Sequence, residues 1–333
     1  MGVLRAVLSV VALFVFSSGL AEARCTGKDL FAELQKNEPE AARSVLAEAD
    51  AVPNGQGRFW KVEKPGTAPS YLFGTFHVAD AVEGVPDDVW LALDQARIAV
   101  FEVTLSDEES LEERMASDPS FVLDQDAPPF SERMSGADLE RVEAAFASRG
   151  IAVSVAEKLQ PWMQISLITF PPCQLRQVER GAKMLDVVLA ERAVAKGIPE
   201  KGLERAVEAL ESLSRLSVDD QTRLIVAAGR SADIDEDLFI TNLALYHRGQ
   251  IALIERFNDW VAQRYMPDLD LPAVNKRLLT DLLDGRNANW MPILLPEIER
   301  GNAFVAVGAL HLVGDAGLVA LLKRAGYSLT LVH

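Results

Sequence analysis

Two of the chain's four histidines sit in the same local setting. His77 closes the motif Gly74-Thr75-Phe76-His77, and His311 closes Gly308-Ala309-Leu310-His311, each directly behind a short apolar run. A neutral imidazole binds divalent metals and carries protons near neutral pH. In each motif the glycine permits a sharp turn where a strand ends, and the imidazole then projects past the sheet's carboxyl edge, where open α/β sheets bind ligands. One such motif is an ordinary loop histidine; two matched motifs argue for a shared site. Glu102 adds a carboxylate, inside the otherwise apolar run 98–103. Burying an unpaired carboxylate costs several kcal/mol, so this one needs a cation or strong donors. An arginine would satisfy it. So would a divalent ion, because two histidines and one carboxylate form a ligand set that leaves positions open for water and substrate. An ion held in this way lowers the pKa of its water and polarises a carbonyl, which is what hydrolysis requires.

The elements that must position these residues follow from hydrophobic spacing. Residues 58–63 and 71–74 read as short strands about a turn at Lys64-Pro65-Gly66, and 98–103 as a strand buried on both faces. The end of the chain reads as strand 303–307, helix 316–325 stopped by Gly326, and strand 327–332. Residues 25–50 are helical with an interruption at Pro39, and Pro86 opens a helix with Asp87 and Asp88 in its first turn. Three-four apolar spacing marks helices at 136–149, 183–196, 204–216, 219–230 and 235–264, with another at 280–300 bent by Pro292 and Pro296. Short apolar pieces at 151–155 and 197–203 fit strands. The expected fold is α/β (or α+β): a mixed central sheet of N- and C-terminal strands, with a large helical insertion at about 105–300, in one domain over 24–333.

Composition sets the outer bounds. Hydrophobic residues are 49% and charged residues 25% of the 333, as in an ordinary globular protein. With 49 acidic against 33 basic residues the formal charge is −16, a surface that repels phosphate backbones. No basic stripe offsets it, so nucleic-acid binding is not expected. Residues 1–23 read as a signal peptide: Arg5, an apolar run from Ala6 to Phe16, and a small-x-small site at Ala21-Glu22-Ala23. That run is short of the ~20 residues that span a bilayer, so cleavage rather than anchoring is expected, with no stable membrane insertion of the mature chain. The expected location is secreted or periplasmic. In that oxidising setting the only two cysteines, Cys25 and Cys173, are expected to form a disulfide. No Gly-x-Ser-x-Gly elbow, His-Glu-x-x-His, Gly-x-Gly-x-x-Gly or P-loop is present, so serine hydrolase, zincin and nucleotide-binding designs lack support.

Other polar residues have structural readings beside functional ones. Glu204 follows Gly202-Leu203 and reads first as a helix-start glutamate favoured by the dipole. Arg286 and Asn287 follow a break at Asp284-Gly285; the arginine either caps a helix or holds a substrate carboxylate or oxyanion. Asp186 reads as a structural residue on a helix face, His247 as a cation at a helix end, and His333 as a mobile terminus.

Taken together, Tyr71-Leu72-Phe73-Gly74-Thr75-Phe76-His77, Phe101-Glu102-Val103, Gly202-Leu203-Glu204 behind an Asp186-bearing helix, Arg286-Asn287, and the closing run 304–314 with Gly317-Leu318 and Gly326-Tyr327 form a pattern. Over about 55–333 it resembles the TraB/GumN family, whose relatives include the Tiki metalloproteases and, more distantly, pheromone-shutdown proteins of conjugative plasmids. The resemblance implies a metal-dependent hydrolase, a peptidase acting on peptide or protein. His77, His311 and Glu102 would sit at a divalent ion (Zn, Mn, Co or Fe), with Glu102 and Arg286 in catalytic roles and Gly74, Gly308, Glu204 and Asn287 as further site candidates. Two other readings stand beside it: a protein that holds a metal, haem or polar ligand without turnover, and an accessory protein of envelope polysaccharide biogenesis.

Overall fold

Apolar runs too continuous for a one-sided strand take the middle of the sheet in the computed structural model, which describes residues 24–333 apart from the side chains at 209 and 211–213. The expected leader, 1–23, lies outside the described residues. Six strands form one sheet: β1 (Phe59–Glu63), β2 (Ser70–Thr75), β3 (Ile98–Phe101), β4 (Glu200–Gly202), β5 (Ala303–Gly308) and β6 (Ser328–Leu331), in the order β4-β3-β5-β2-β1-β6. The four strands β4, β3, β5 and β2 are parallel, and β1 is antiparallel to both of its neighbours. The fold is a mixed α/β one with a large helical part, as expected.

Helices cover both faces, which is why β5 is buried at every position. Phe73, Phe101 and Phe304 pack on one face against Leu93 of the helix Asp87–Asp94 and Leu185 and Leu189 of the helix Leu185–Ala195. On the other, Leu72, Val100, Val305 and Val307 meet Trp290, Leu294 and Ile298 of the helix Arg286–Glu299, and Leu318 and Leu322 of Leu318–Arg324. Each fully buried side chain of this size contributes about 1.5–3 kcal/mol, so the strand ends are held by the best-packed part of the molecule. The helical part between β3 and β5 carries a core of its own around Phe130, Phe146, Met163 and Ile225.

Several sequence expectations change. The apolar piece 151–155 is a short helix, Val153–Ala156, rather than a strand. The expected helix 235–264 is two, Asp235–His247 and Ile251–Tyr265, broken at Gly249, whose φ of 69° is left-handed. The helix Pro161–Ile168 went unread because six of its eight residues are buried, which leaves no polar stripe to mark a period. Leu105–Ser117, Pro172–Glu179 and Leu271–Leu279 are further helices beyond the expected set. His333 is not loose. Its carbonyl accepts from the backbone N–H groups of Arg58 and Phe59, and its Nε2 lies 2.7 Å from Asp88.

Cys25 and Cys173 are bridged, with Cα atoms 5.1 Å apart at a sequence separation of 148. A loop of that length gives about 5 kcal/mol in the chain-entropy model, and measured values usually fall to 2–4. The double variant Cys25→Ala, Cys173→Ala should therefore lose about 2–4 kcal/mol in urea unfolding; a loss under about 1 kcal/mol would show that the bridge constrains little. Among the described residues no helix is long and apolar enough to cross a membrane.

Candidate active site at the carboxyl edge of the sheet

The four parallel strands end at one edge, and each delivers one polar side chain there. His77 lies two residues past β2, Glu102 one past β3, Glu204 two past β4 and His311 three past β5. Glu102 therefore stands at the open end of its strand rather than inside it. Glu204 is also displaced from its expected place: the helix behind it starts at Ala206, and its backbone N–H donates to the Glu102 carbonyl at 3.0 Å, which ties the β3 and β4 ends together.

The two motif glycines serve by their lack of a side chain. Neither has a positive φ, and Gly308 sits at φ −51°, ψ 135°, a conformation any residue adopts. A Cβ on Gly74 would stand 2.9 Å from the Ala309 Cα, so its absence lets the 309–312 turn lie on β2. A Cβ on Gly308 would stand 3.0 Å from His77 Nε2, 3.3 Å from Glu102 Oε1 and 3.6 Å from His311 Cδ2. The space in which the three expected ligands converge is the space this glycine leaves open.

Each of the three is oriented by a second residue. His77 Nδ1 is 2.8 Å from Asp186 Oδ2, and the other oxygen of Asp186 accepts from Thr75 Oγ1 at 2.6 Å. Asp186 is thus part of the site, not a bystander on its helix. Asn287, 1% exposed, donates through Nδ2 to the carbonyls of His311 and Ala316 at 3.2 and 3.0 Å. That fixes which way its amide points, so Oδ1 accepts from His311 Nδ1 at 2.8 Å and the imidazole lone pair is left on Nε2. Glu102 Oε1 accepts from the Gly308 N–H at 2.7 Å, and Oε2 from Arg286 Nη2 at 2.6 Å.

Arg286 sits at the start of the helix Arg286–Glu299, behind a π-helical turn, Thr280–Gly285. Nη1 donates to the Leu282 carbonyl at 3.1 Å and faces His311 Nε2 at 3.2 Å. Nε and Nη2 engage Glu204, whose Oε2 also accepts from Trp290 Nε1 at 3.0 Å. The guanidinium lies 4.7 Å over the Trp290 ring, and that ring is 4.3 Å from the His311 imidazole. Trp290 was not singled out from sequence. Its signal was the helical spacing: residues 286, 287 and 290 share one face of the helix.

The charges follow from these contacts. Burial holds His311 uncharged, its pKa lowered to about 3. The Asp186 carboxylate raises His77 to about 9, although solvent over its side chain, 54% exposed, screens part of that field. Burial pushes the Glu102 carboxyl up, but the groups facing it win and hold it at about 2. With His311 neutral, the effective ones are the cations His77 and Arg286 and the Gly308 N–H. Glu204 is raised by burial, against the pull of its Arg286 hydrogen bonds.

The donor chemistry suits a divalent ion. Both imidazoles bond Nδ1 outward to an oxygen, which is the usual support for metal-bound histidine. Neutral His311 offers its Nε2 lone pair as it stands, whereas His77 must give up its Nε2 proton to an incoming ion. The Nε2 atoms of His77 and His311 lie 3.9 and 3.8 Å from Glu102 Oε1. Ligands about 2.1 Å from a shared ion stand about 3–3.5 Å apart, so the donors would close by several tenths of an ångström. Among the described residues no group of three or more His, Cys, Asp or Glu is placed to hold a metal ion as it stands. The cavity beside His77 and Glu102, walled by Leu105, Glu108 and Asp186, measures about 110 Å³. It admits the reacting group of a substrate or a few waters, so a larger substrate must lie across the edge. His247 and His333 lie outside this cluster.

No curated protein and no solved structure matches the chain. The sequence pattern of one family does, over residues 58–331, a span that begins at β1 and ends in β6 and so includes every residue of the edge cluster. The chain belongs to the TraB/PrgY/gumN family.

Proposed function

We propose that the chain is an exported, metal-dependent hydrolase that cleaves peptide bonds. The observation that carries the reading is the convergence of His77, Glu102 and His311 beside Gly308, with both Nε2 atoms within 3.9 Å of Glu102 Oε1. These three residues would hold the ion, which when bound supplies a water of lowered pKa and a Lewis acid for a carbonyl. Asn287 keeps the His311 lone pair on Nε2, and Asp186 sets the ring of His77. Arg286 would offer N–H donors where negative charge develops on a reacting carbonyl oxygen once its contacts to Glu102 and His311 are given up. Peptide as the substrate class follows from the resemblance to the Tiki metalloproteases. The buried disulfide and the leader-like residues 1–23 support export.

The test is metal analysis of the mature protein, followed by cleavage of a proteome-derived peptide library with Zn, Mn, Co or Fe added in turn. We expect about one ion per chain and cleavage with at least one metal. His77→Ala should lose the ion at a stability cost of about 1 kcal/mol, since its ring is half exposed and paired once. Failure of the wild type to hold any of the four metals would sink the reading. One observation favours ligand binding without turnover: Glu102 and Arg286 already satisfy one another, so the network is closed as it stands. An ion retained with no peptide cleaved would move the assignment there.

A further inference from the structure

Arg286 spends its donors on two different sets of partners. Toward the site, Nη2 reaches Glu102 Oε2 at 2.6 Å and Nη1 reaches the lone pair of His311 Nε2 at 3.2 Å. Away from it, Nε and Nη2 are held by Glu204, whose side chain is 8% exposed and is braced by Trp290 Nε1. Glu102 and His311 are two of the three residues assigned above to the ion. His311 has a single lone pair, because Asn287 fixes the proton on Nδ1; that lone pair accepts one N–H or binds one ion, not both.

We propose that Arg286 is a built-in stand-in for the ion, and that Glu204 is the positioning carboxylate that keeps the guanidinium when its contacts to Glu102 and His311 are given up. This rests on the metal-hydrolase reading and extends it to how the site loads. In the unloaded protein the buried Glu102 carboxylate needs a cation; Arg286 is hydrogen-bonded to one of its oxygens, and the half-exposed His77 stands 3.9 Å from the other. A cation already in place lowers the apparent affinity for its replacement, as any competing bound state does. The backbone around Arg286 suits such an exchange. It follows directly on the π-helical turn Thr280–Gly285, whose Leu282 carbonyl takes an Nη1 proton, and π turns are less tightly bonded than α-helix and recur at functional sites. Glu204 also gains a purpose: a second buried carboxylate, on a different strand end, that the hydrolytic reading leaves without one.

The test is calorimetric titration of the chelator-stripped protein with Mn²⁺ and with Zn²⁺. R286K keeps the positive charge but not the planar fork that spans Glu102, His311 and Glu204 together. It should bind the ion about tenfold more tightly than the wild type, and R286Q at least as tightly. E204Q alters no ion donor, yet it should bind about tenfold more weakly, because the guanidinium loses its alternative partner. Trp290 lies 4.7 Å under the guanidinium and 4.3 Å from the His311 ring, so its emission should change more when the wild type is titrated than when R286Q is, the difference being the movement of the guanidinium. If R286K does not fold, the Trp290 signal and the E204Q shift decide the matter. An arginine that merely props up the site predicts weaker binding in every variant and the same Trp290 response in wild type and R286Q; that result overturns the proposal while the wild-type titration leaves the hydrolase reading intact. Ion uptake by neither wild type nor R286K removes both.

Discussion

Gly308→Ala is expected to abolish ion retention and peptide cleavage, by about 100-fold or more, while the fold stands. The added methyl would stand 3.0 Å from His77 Nε2 and 3.3 Å from Glu102 Oε1, inside the space the ligand atoms must close around. The backbone does not resist the change, since φ −51° and ψ 135° lie where alanine is at ease. His77, half exposed, can move away by a few tenths of an ångström, and that movement spreads donors that need to come together. Melting should therefore shift little while metal content falls to background. The matched glycine provides the control. In Gly74→Ala the methyl meets the Ala309 Cα at 2.9 Å and Leu312 Cδ1 at 2.9 Å, and backbone gives way less readily than a side chain. That variant should lose about 1–3 kcal/mol of stability by overpacking. Both measurements need only purified variants, a melting curve and metal analysis. A Gly308→Ala protein that keeps its ion would show that the ligands do not converge at this glycine, and the site would have to be redrawn.

These two glycines also mark how far sequence reasoning reached. The paired Gly-x-x-His motifs behind apolar runs located the edge of the sheet, because a parallel strand buried on both faces has a legible signature. The purpose of the glycines was not legible. Turning the chain is a local property and was the natural inference, whereas making room for side chains from β2 and β3 is a property of the assembled sheet. For the same reason the sequence reads Asp186 as structural and Glu204 first as a helix-start residue, a site candidate only through the family resemblance. An acidic residue near a helix start looks alike whether it serves the dipole or a partner 109 residues away, as Asp186 does with His77. Glu204 depends on a three-residue strand, β4, whose placement comes from pairing with β3 and not from its own sequence. Arg286 and Asn287 were visible as polar residues after a helix break, but their division of labour follows from which side of the helix faces which strand end.

Asn287→Leu is expected to cost about 3 kcal/mol or more, a large effect for a residue that touches neither solvent nor the expected ion. The side chain is 1% exposed and makes three hydrogen bonds: two N–H bonds, to the carbonyls of His311 and Ala316, and one bond accepted from His311 Nδ1. Leucine is close in volume, so the loss comes from the two partners on buried His311, each worth about 1–3 kcal/mol, and less from the half-buried Ala316 carbonyl. Asn287→Asp separates the parts. Its carboxylate can still accept from Nδ1, but it sets an anionic oxygen against the two carbonyls, so stability falls while the orientation of the ring survives. In the leucine variant the acceptor that holds the proton on Nδ1 is gone, and only the Arg286 Nη1 donor, 3.2 Å from Nε2, still favours that tautomer; a protonated Nε2 has no lone pair to offer. Chemical unfolding of both variants gives the energies, and the nitrogen chemical shifts of the His311 ring report the tautomer directly. The leucine variant should show the Nδ1-protonated form giving way, with metal retention falling in step. Were His311 to keep that tautomer in Asn287→Leu, some other contact would be orienting the ring, and the coupling drawn here between Asn287 and the ion site would be lost.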